Sequence, residues 1–525
     1  MKLIVLALSM ALTGLAQNRV AQKVAPKSPK LVVFIAVDQF RYDYLLRFRK
    51  DYNSGLVRLL ESGAVFTNAN YQHYPTVTAV GHSTMLSGAT PNVSGIVAND
   101  WWDRATGKEV TSVEEFNPQI KNLGSDSKKV ASPHRLLVST LGDEIKMSGQ
   151  WDSKVIGISI KDRSAILPSG RMANGAYWFD IDSGNWVSSS WYFKTLPDWV
   201  TQLNKARAAD KFAGAQWKPL LETGPAFKQM PATKDKKLYT ELESSPYGNE
   251  LIEDLVEAAI VQEKLGQRGG LDLLTISYSA NDYVGHKVGP DDPQVRDMAI
   301  RTDRLLGRLF SFLDGKVGRN NYIVGFTSDH GVPALPATQR ARKMPGARID
   351  PEVVRNAINN RLSKLYGGGT WVLNKNPEGP YLNEGLGSSR KVNMTEARNQ
   401  AADAVRQLPG IMRVYTREQI VEGRLVVDKI GQRVTNGYFM ERSPDLIIVP
   451  EPYLFFKKEE TGTTHASPFG YDTHVPLILM GTPFKAGNYH SSVAVNDMAP
   501  TLATVLGVEI PSGSVGRILA EALVN

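Results

Sequence analysis

Cysteine is absent from the 525 residues. Its absence excludes disulfides, thiolate metal sites and lipid attachment at an N-terminal cysteine, so any metal chemistry must draw on His, Asp or Glu. Histidine is scarce too, at 8 residues, which makes the position of each one informative. Long apolar runs are missing beyond the N-terminus. Apart from Leu3 to Leu15, no segment approaches the roughly twenty apolar residues that cross a bilayer. Charge of one sign is not in large excess either. The net +8 is mild, and the basic runs Lys128-Lys129, Lys234-Asp235-Lys236-Lys237 and Arg340-Ala341-Arg342-Lys343 are short and scattered, as on a solvated surface. No nucleic-acid stripe is implied, and the surplus suits small anions.

The chain does carry the marks of an exported protein. Met1-Lys2, the apolar run, and small residues at Gly14 and Ala16 predict a signal peptide over 1–16, cleaved before Gln17, with an extension over 17–30. The expectation is a periplasmic or secreted product with no membrane anchor. The sequence leaves the oligomeric state open, a monomer among the alternatives. Hydrophobic content of 42% over this length supports one large core with insertions, or two domains.

Short β-branched apolar runs predict buried strands at Leu31–Val37, Lys154–Ile160, Leu271–Tyr278, Tyr322–Thr327, Asp445–Val449 and Val475–Met480. Helical patterns lie between them, including Asp292–Leu313 and Asn496–Leu506. The alternation predicts an α/β three-layer sandwich, with a central, mostly parallel sheet and helices on both faces. Two stretches do not fit simple crossovers. About 101–245 and 333–465 read as cap insertions over the site, within a catalytic domain spanning 31–525.

Ligands in open α/β sheets bind beyond the carboxyl ends of strands, and chemistry-bearing residues recur there. Asp38 follows the first run; Lys161 and Arg163 follow the second; Asp282 and His286 follow the third; Asp329 and His330 follow the fourth. His474 precedes its strand, which implies the opposite chain direction. An isolated Asp in such a place is usually a turn or helix cap. Three Asp and three His together suffice for two divalent sites with three protein ligands each. The i, i+4 spacing of Asp282 and His286 can put both on one helical face. Upstream, Tyr74-Pro75-Thr76-Val77-Thr78 leads into a helix, so Thr78 is either an N-cap or a hydroxyl that a metal could activate. If the chain after Ile160 stays extended, Lys161 and Arg163 point to one side.

These motifs, namely Thr78 before Gly81-His82, Asn99 before Asp100-Trp101-Trp102, Lys161-Asp162-Arg163, Asn281-Asp282 with His286, Ser328-Asp329-His330-Gly331 and Tyr471-Asp472-Thr473-His474, resemble the alkaline phosphatase superfamily. More narrowly they resemble its phosphate-irrepressible, PafA-type members, and the resemblance runs from Leu31 to the Asp497–Leu502 helix. It implies a zinc-dependent phosphate monoesterase with a phosphothreonine intermediate on Thr78, broad monoester specificity and two Zn2+ ions. It assigns Asp38, Asp329 and His330, with the Thr78 oxygen, to one ion and Asp282, His286 and His474 to the other. Asn99, Lys161 and Arg163 become ligands of the phosphoryl oxygens. A phosphodiesterase or nucleotide pyrophosphatase of the same superfamily is the nearest rival, and the two cations favour a monoester dianion over a diester. A sulfatase is disfavoured, there being no cysteine to become formylglycine. A non-catalytic metal- or phosphate-binding protein would lack the nucleophile or one metal shell, and neither is missing. Of the other histidines, His82 reads as a buried structural residue, and His465, in the loop Gly462–Ser467, as the one nearest the site.

Overall fold

The computed structural model describes residues 28–149 and 152–524. The signal peptide expected over 1–16, and most of the extension, lie outside the described residues.

A ten-stranded mixed sheet organises the chain. Its strands in chain order are β1 (Leu31–Val37), β2 (Gly63–Phe66), β3 (Asn122–Leu123), β4 (Val155–Ser159), β5 (Gly175–Asp180), β6 (Asn185–Ser189), β7 (Asp272–Tyr278), β8 (Tyr322–Thr327), β9 (Leu477–Met480) and β10 (Gly487–Tyr489). Across the sheet they run β10-β2-β9-β8-β1-β7-β4-β5-β6-β3. The central five, β8-β1-β7-β4-β5, are mutually parallel, and β9 is antiparallel to β8.

All seven residues of β1 are buried because both faces of the sheet are covered. On one face Leu31, Val33, Ile35 and Val37 pack with Leu251, Ile252 and Leu255 of α4 (Pro246–Gln262) and with Met298, Leu306 and Leu309 of α6 (Pro293–Lys316). On the other, Val32, Phe34 and Ala36 meet Met85 and Leu86 of α1 (Thr78–Ser87), Leu141 and Ile145 of α2 (Leu141–Met147), and Met498 and Leu502 of α10 (Met498–Leu506). Burial of each such side chain contributes about 1.5–3 kcal/mol, so the period-two split of β1 fixes the sheet between two helical layers. The remaining helices used below are α3 (Asp162–Ser169), α5 (Ala280–Val288), α7 (Pro351–Tyr366), α8 (Met394–Arg406) and α9 (Lys429–Gly437).

Two expectations change. The span 101–245, read as a cap apart from its predicted strand β4, also supplies β3, β5 and β6 to one edge of the sheet, because the buried run Gly175–Tyr177 pairs alongside β4. The run near Asp445–Val449 is a strand, Leu446–Pro450, but it pairs antiparallel with Ile411–Thr416 outside the central sheet. There it joins α7 and α8 around a separate core that includes Ile358, Leu362, Trp371, Ala401, Val405 and Ile448. The segment 333–465 thus carries a hydrophobic core of its own.

Candidate active site

Parallel strands deliver their carboxyl ends to one edge of the sheet. Asp38 after β1, Lys161 after β4, Asp282 after β7 and Asp329 after β8 therefore arrive together. All four side chains are nearly or fully buried. The loop Gly462–Ser467 reaches the same edge, with Thr463 N–H donating to His286 O at 2.9 Å and Ser467 O accepting from Thr76 Oγ1 at 2.8 Å, and this brings His465.

The imidazoles share a pattern. Nδ1 of His286 is anchored on the Thr463 carbonyl at 2.9 Å, that of His330 on the Gly331 carbonyl at 3.0 Å, and that of His465 on the Thr76 carbonyl at 2.8 Å. Each Nε2 then faces carboxylates: His286 is 3.1 Å and His465 3.8 Å from Asp282 Oδ1, and His330 is 3.3 Å from Asp329 Oδ2 and 3.6 Å from Asp38 Oδ1. A ring held at one nitrogen by a carbonyl, with the other turned inward, is the arrangement of metal-ligating histidine. His465 stacks on His330 with ring centroids 3.5 Å apart and lies 5.0 Å from His286, so it joins the two halves of the cluster.

The structure does not bring His474 to this cluster. Its Nε2 is spent on the Thr67 carbonyl at 3.0 Å, and its ring stacks on Tyr42. An isolated antiparallel β-bridge pairs the backbone there with Asn70. In place of His474, His465 lies grouped with Asp282 and His286, and its sequence signal was only the Gly-Thr-Thr-His loop. His82, expected to be structural, has both nitrogens satisfied, by the Thr78 carbonyl and Ser277 Oγ, each at 2.8 Å.

Thr78 opens α1, every residue of which is buried. It does not cap the helix: Val77 holds the N-cap position and no side chain caps it. Asn99 Oδ1 accepts from Ala79 N–H at 2.8 Å, which ties the loop bearing Asn99 to the first turn of α1 and leaves its NH2 group as the donor. Gly81 lets α1 approach Asp329, since a Cβ there would lie 2.4 Å from the Asp329 carbonyl oxygen. The loop before Thr78 is gripped from above, with Thr76 Oγ1 donating to Ser467 O at 2.8 Å and Tyr74 Oη to Ile448 O at 2.8 Å.

Lys161 reaches into the carboxylates, its Nζ 2.6 Å from Asp38 Oδ2 and 2.7 Å from Asp282 Oδ2. Burial opposes its charge, but Asp282 and Asp38 override that and raise its pKa. Chain geometry differs from the extended expectation. Lys161 (ψ 132°) is the last extended residue and Arg163 already lies in the first turn of α3, because Asp162 starts the helix. Burial raises the Asp100 carboxyl, and the nearby Arg163 guanidinium works against that rise.

The remaining electrostatics suit a cation. Burial raises Asp329 well above the usual carboxylate range, reinforced by Asp38 beside it. Asp282 is held well below that range, because His286 and Lys161 outweigh its burial. Burial lowers His330 and His465, keeping both imidazoles neutral and able to ligate. Asp38 Oδ1, Asp329 Oδ2 and His330 Nε2 are buried without a hydrogen-bond partner. Three orphaned ligand atoms converging in a dry site would be costly, at about 1–3 kcal/mol each, unless a divalent cation takes them up. The residues present therefore fit the implied metals.

The sequence is matched over residues 32–474 by the family model for type I phosphodiesterase / nucleotide pyrophosphatase. Alkaline phosphatase PafA of Elizabethkingia meningoseptica is 32% identical over 527 aligned positions, covering 96% of each chain. Alkaline phosphatase PhoV of Synechococcus elongatus is 33% identical over 534, covering 97% of this chain and 96% of that one. The crystal structure of wild-type PafA superposes with a TM-score of 0.89 at 31% identity, over 95% of this chain and 99% of that chain. A second structure of that enzyme carries substitutions at a threonine, an asparagine, a lysine and an arginine.

Proposed function

The chain belongs to the type I phosphodiesterase / nucleotide pyrophosphatase family, in the alkaline phosphatase superfamily, and we propose that it is a zinc-dependent phosphate monoesterase acting through Thr78. That it is a phosphatase follows from relatives named alkaline phosphatases, which match nearly the whole chain at 28% to 33% identity. The finer reading is carried by one observation: the Lys161 ammonium, only 2% exposed, set among the site carboxylates with Arg163 two residues on. A monoester dianion offers such cations a full extra charge that a diester lacks. In support, the four residues replaced in the variant PafA structure have the same types and spacing as Thr78, Asn99, Lys161 and Arg163.

Asp38, Asp329 and His330, with the Thr78 oxygen, would hold one Zn2+, and Asp282, His286 and His465 the other. Bound there, a pair of such ions supplies Lewis-acid stabilisation of the attacking and departing oxygens and lowers the pKa of water. The chain's own residues do the rest. Thr78 Oγ, its proton released to solvent, forms a bond to phosphorus as the P–O bond to the alcohol breaks in line, and the departing alcohol oxygen takes a proton from water. A water that gives up a proton then attacks phosphorus; the bond to Thr78 Oγ breaks, that oxygen is reprotonated from solvent, and inorganic phosphate leaves. Through both displacements the Asn99 NH2, Lys161 and Arg163 hold the nonbridging oxygens, Arg as a planar fork and Lys as a point charge. The α1 N-terminus, positioned by Asn99, adds its dipole to the same charge.

The rival diesterase reading is favoured by the name of the family model, and one experiment separates the two. An aryl phosphate monoester and its diester are assayed side by side in wild type, Thr78→Ala and the double variant Lys161→Ala/Arg163→Ala, before chelation, after it and after zinc is restored. Faster monoester turnover that is lost on chelation, regained with zinc and nearly abolished in Thr78→Ala is expected. The double variant should harm the monoester far more than the diester. A faster diester reaction, or equal losses on both substrates, overturns the monoesterase; full activity in Thr78→Ala overturns the nucleophile.

A further inference from the structure

Gln39 is the residue after Asp38, and neither its sequence position nor the reaction above gives it a part. It is 2% exposed and holds a left-handed backbone, φ 60°, that only glycine adopts without strain. That conformation puts its two donors to use. The backbone N–H donates to Asp329 Oδ1 at 3.0 Å, and the side-chain Nε2 donates to Asp282 Oδ1 at 2.5 Å. Peptide-linked to Asp38 and bonded to Asp282 and Asp329, Gln39 touches every carboxylate of the cluster. Its side chain is confined from the far side by α5, where a Cβ on Gly285 would fall 1.9 Å from Gln39 Oε1. The helix that carries Asp282 and His286 is therefore built with a gap at Gly285 that receives this carboxamide.

We propose that Gln39 is a positioning residue that orients the Asp282 carboxylate toward His286 and His465, so that its side chain governs metal affinity at that one site, while its backbone N–H serves Asp329. The proposal rests on the two-metal reading above. A hydrogen-bonding partner of a ligating group typically accounts for a 10–100-fold change in metal affinity. Because the side chain reaches only Asp282, the loss should fall on one site and spare the other.

Two variants test this by different routes. Gln39→Gly keeps the backbone N–H, tolerates φ 60° and deletes the carboxamide. Gly285→Ala keeps Gln39 and drives its carboxamide out of the gap. Zn2+ is titrated into chelator-treated full-length protein in a metal buffer, with bound metal counted by elemental analysis and unfolding of the metal-free chain followed in parallel. The expected result is two equivalents in wild type and, in both variants, affinity reduced about 10–100-fold for one equivalent and unchanged for the other, with metal-free stability close to wild type. Unchanged titrations, or equal weakening of both equivalents, overturn the role of Gln39. Wild type that binds no second equivalent overturns the two-metal reading itself, a separate outcome.

Discussion

Glu253 shows at the scale of one residue how much this fold tolerates behind its site. It lies on α4 with no exposure, one oxygen taken by the Tyr278 hydroxyl and the other, Oε1, without a partner. Burial pushes its pKa up to about 8. Since the folded value is raised, the native chain keeps a proton that the unfolded chain releases from about pH 4.5 upward. The stability this provides is complete below pH 4.5, falls as pH rises, and is gone above about 8. Glu253→Gln should therefore flatten the decline in denaturant midpoint across that window and make the variant the more stable protein at alkaline pH. At this scale much of the site is legible in the sequence, because Asp38, Asp282, His286, Asp329 and His330 follow runs whose apolar continuity identifies them as strands. His465 is less so. Its loop sits far from any strand end, and choosing it over His474 requires knowing which ring nitrogen is already used by a backbone carbonyl. Gln39 left no sequence signal, since its role comes from a backbone angle.

Elements decide whether these side chains meet. Alanine usually stabilises a helix relative to glycine by about 1 kcal/mol. In α1 the sign reverses, because a Cβ at position 81 would press on the Asp329 carbonyl oxygen and, at 2.7 Å, its Cβ. Backbone cannot yield as a flexible side chain can. Gly81→Ala should thus lower stability and shift Thr78 away from Asp329, reducing kcat/KM for a monoester by about 100-fold, as a displacement near 1 Å does. Strand positions of β1 and β8 match their expected runs, and β4, β7 and β9 differ by a few terminal residues. What a run of apolar residues does not carry is its partner. Leu446–Pro450 has the composition of a sheet strand, yet it pairs with Ile411–Thr416, and only the helices packed around it decide that. The same limit hid the strands β5 and β6, whose Trp and Tyr content reads equally well as cap packing.

Over the whole molecule, the segment 333–465 is tied to the hairpin at Asp100–Thr111 through the buried Asp445 carboxylate. Asp445 accepts from Arg398 Nη1 at 3.0 Å within that segment and from Arg104 Nη2 at 3.2 Å outside it, with Leu382 N–H at 2.8 Å as a third donor. Arg442 continues the seam, donating to Gly95 O at 2.6 Å, just before Asn99. Asp445→Asn would leave Arg104 without its carboxylate partner and Arg398 with one carboxylate fewer. Arg398 keeps Glu418 at 2.8 Å, so the expected loss in a denaturant titration is roughly 3 kcal/mol, the low end for breaking a buried pair. No helix among the described residues is long and apolar enough to cross a membrane. The shared anchoring of His286 and His465 has a further meaning in this chain. His286 Nδ1 meets the carbonyl of Thr463, 177 positions along, and His465 follows two residues later. A metal held jointly by Asp282, His286 and His465 would cross-link the two ends of that long excursion. In a protein with no cysteine, such a metal would serve as the staple a disulfide otherwise provides. Closing a loop as long as the one from His286 to His465 removes roughly 5 kcal/mol of unfolded-state entropy on the chain-entropy model. Chelation should therefore release more than catalysis: the ends of the 333–465 unit would be the first part of the molecule to open to protease.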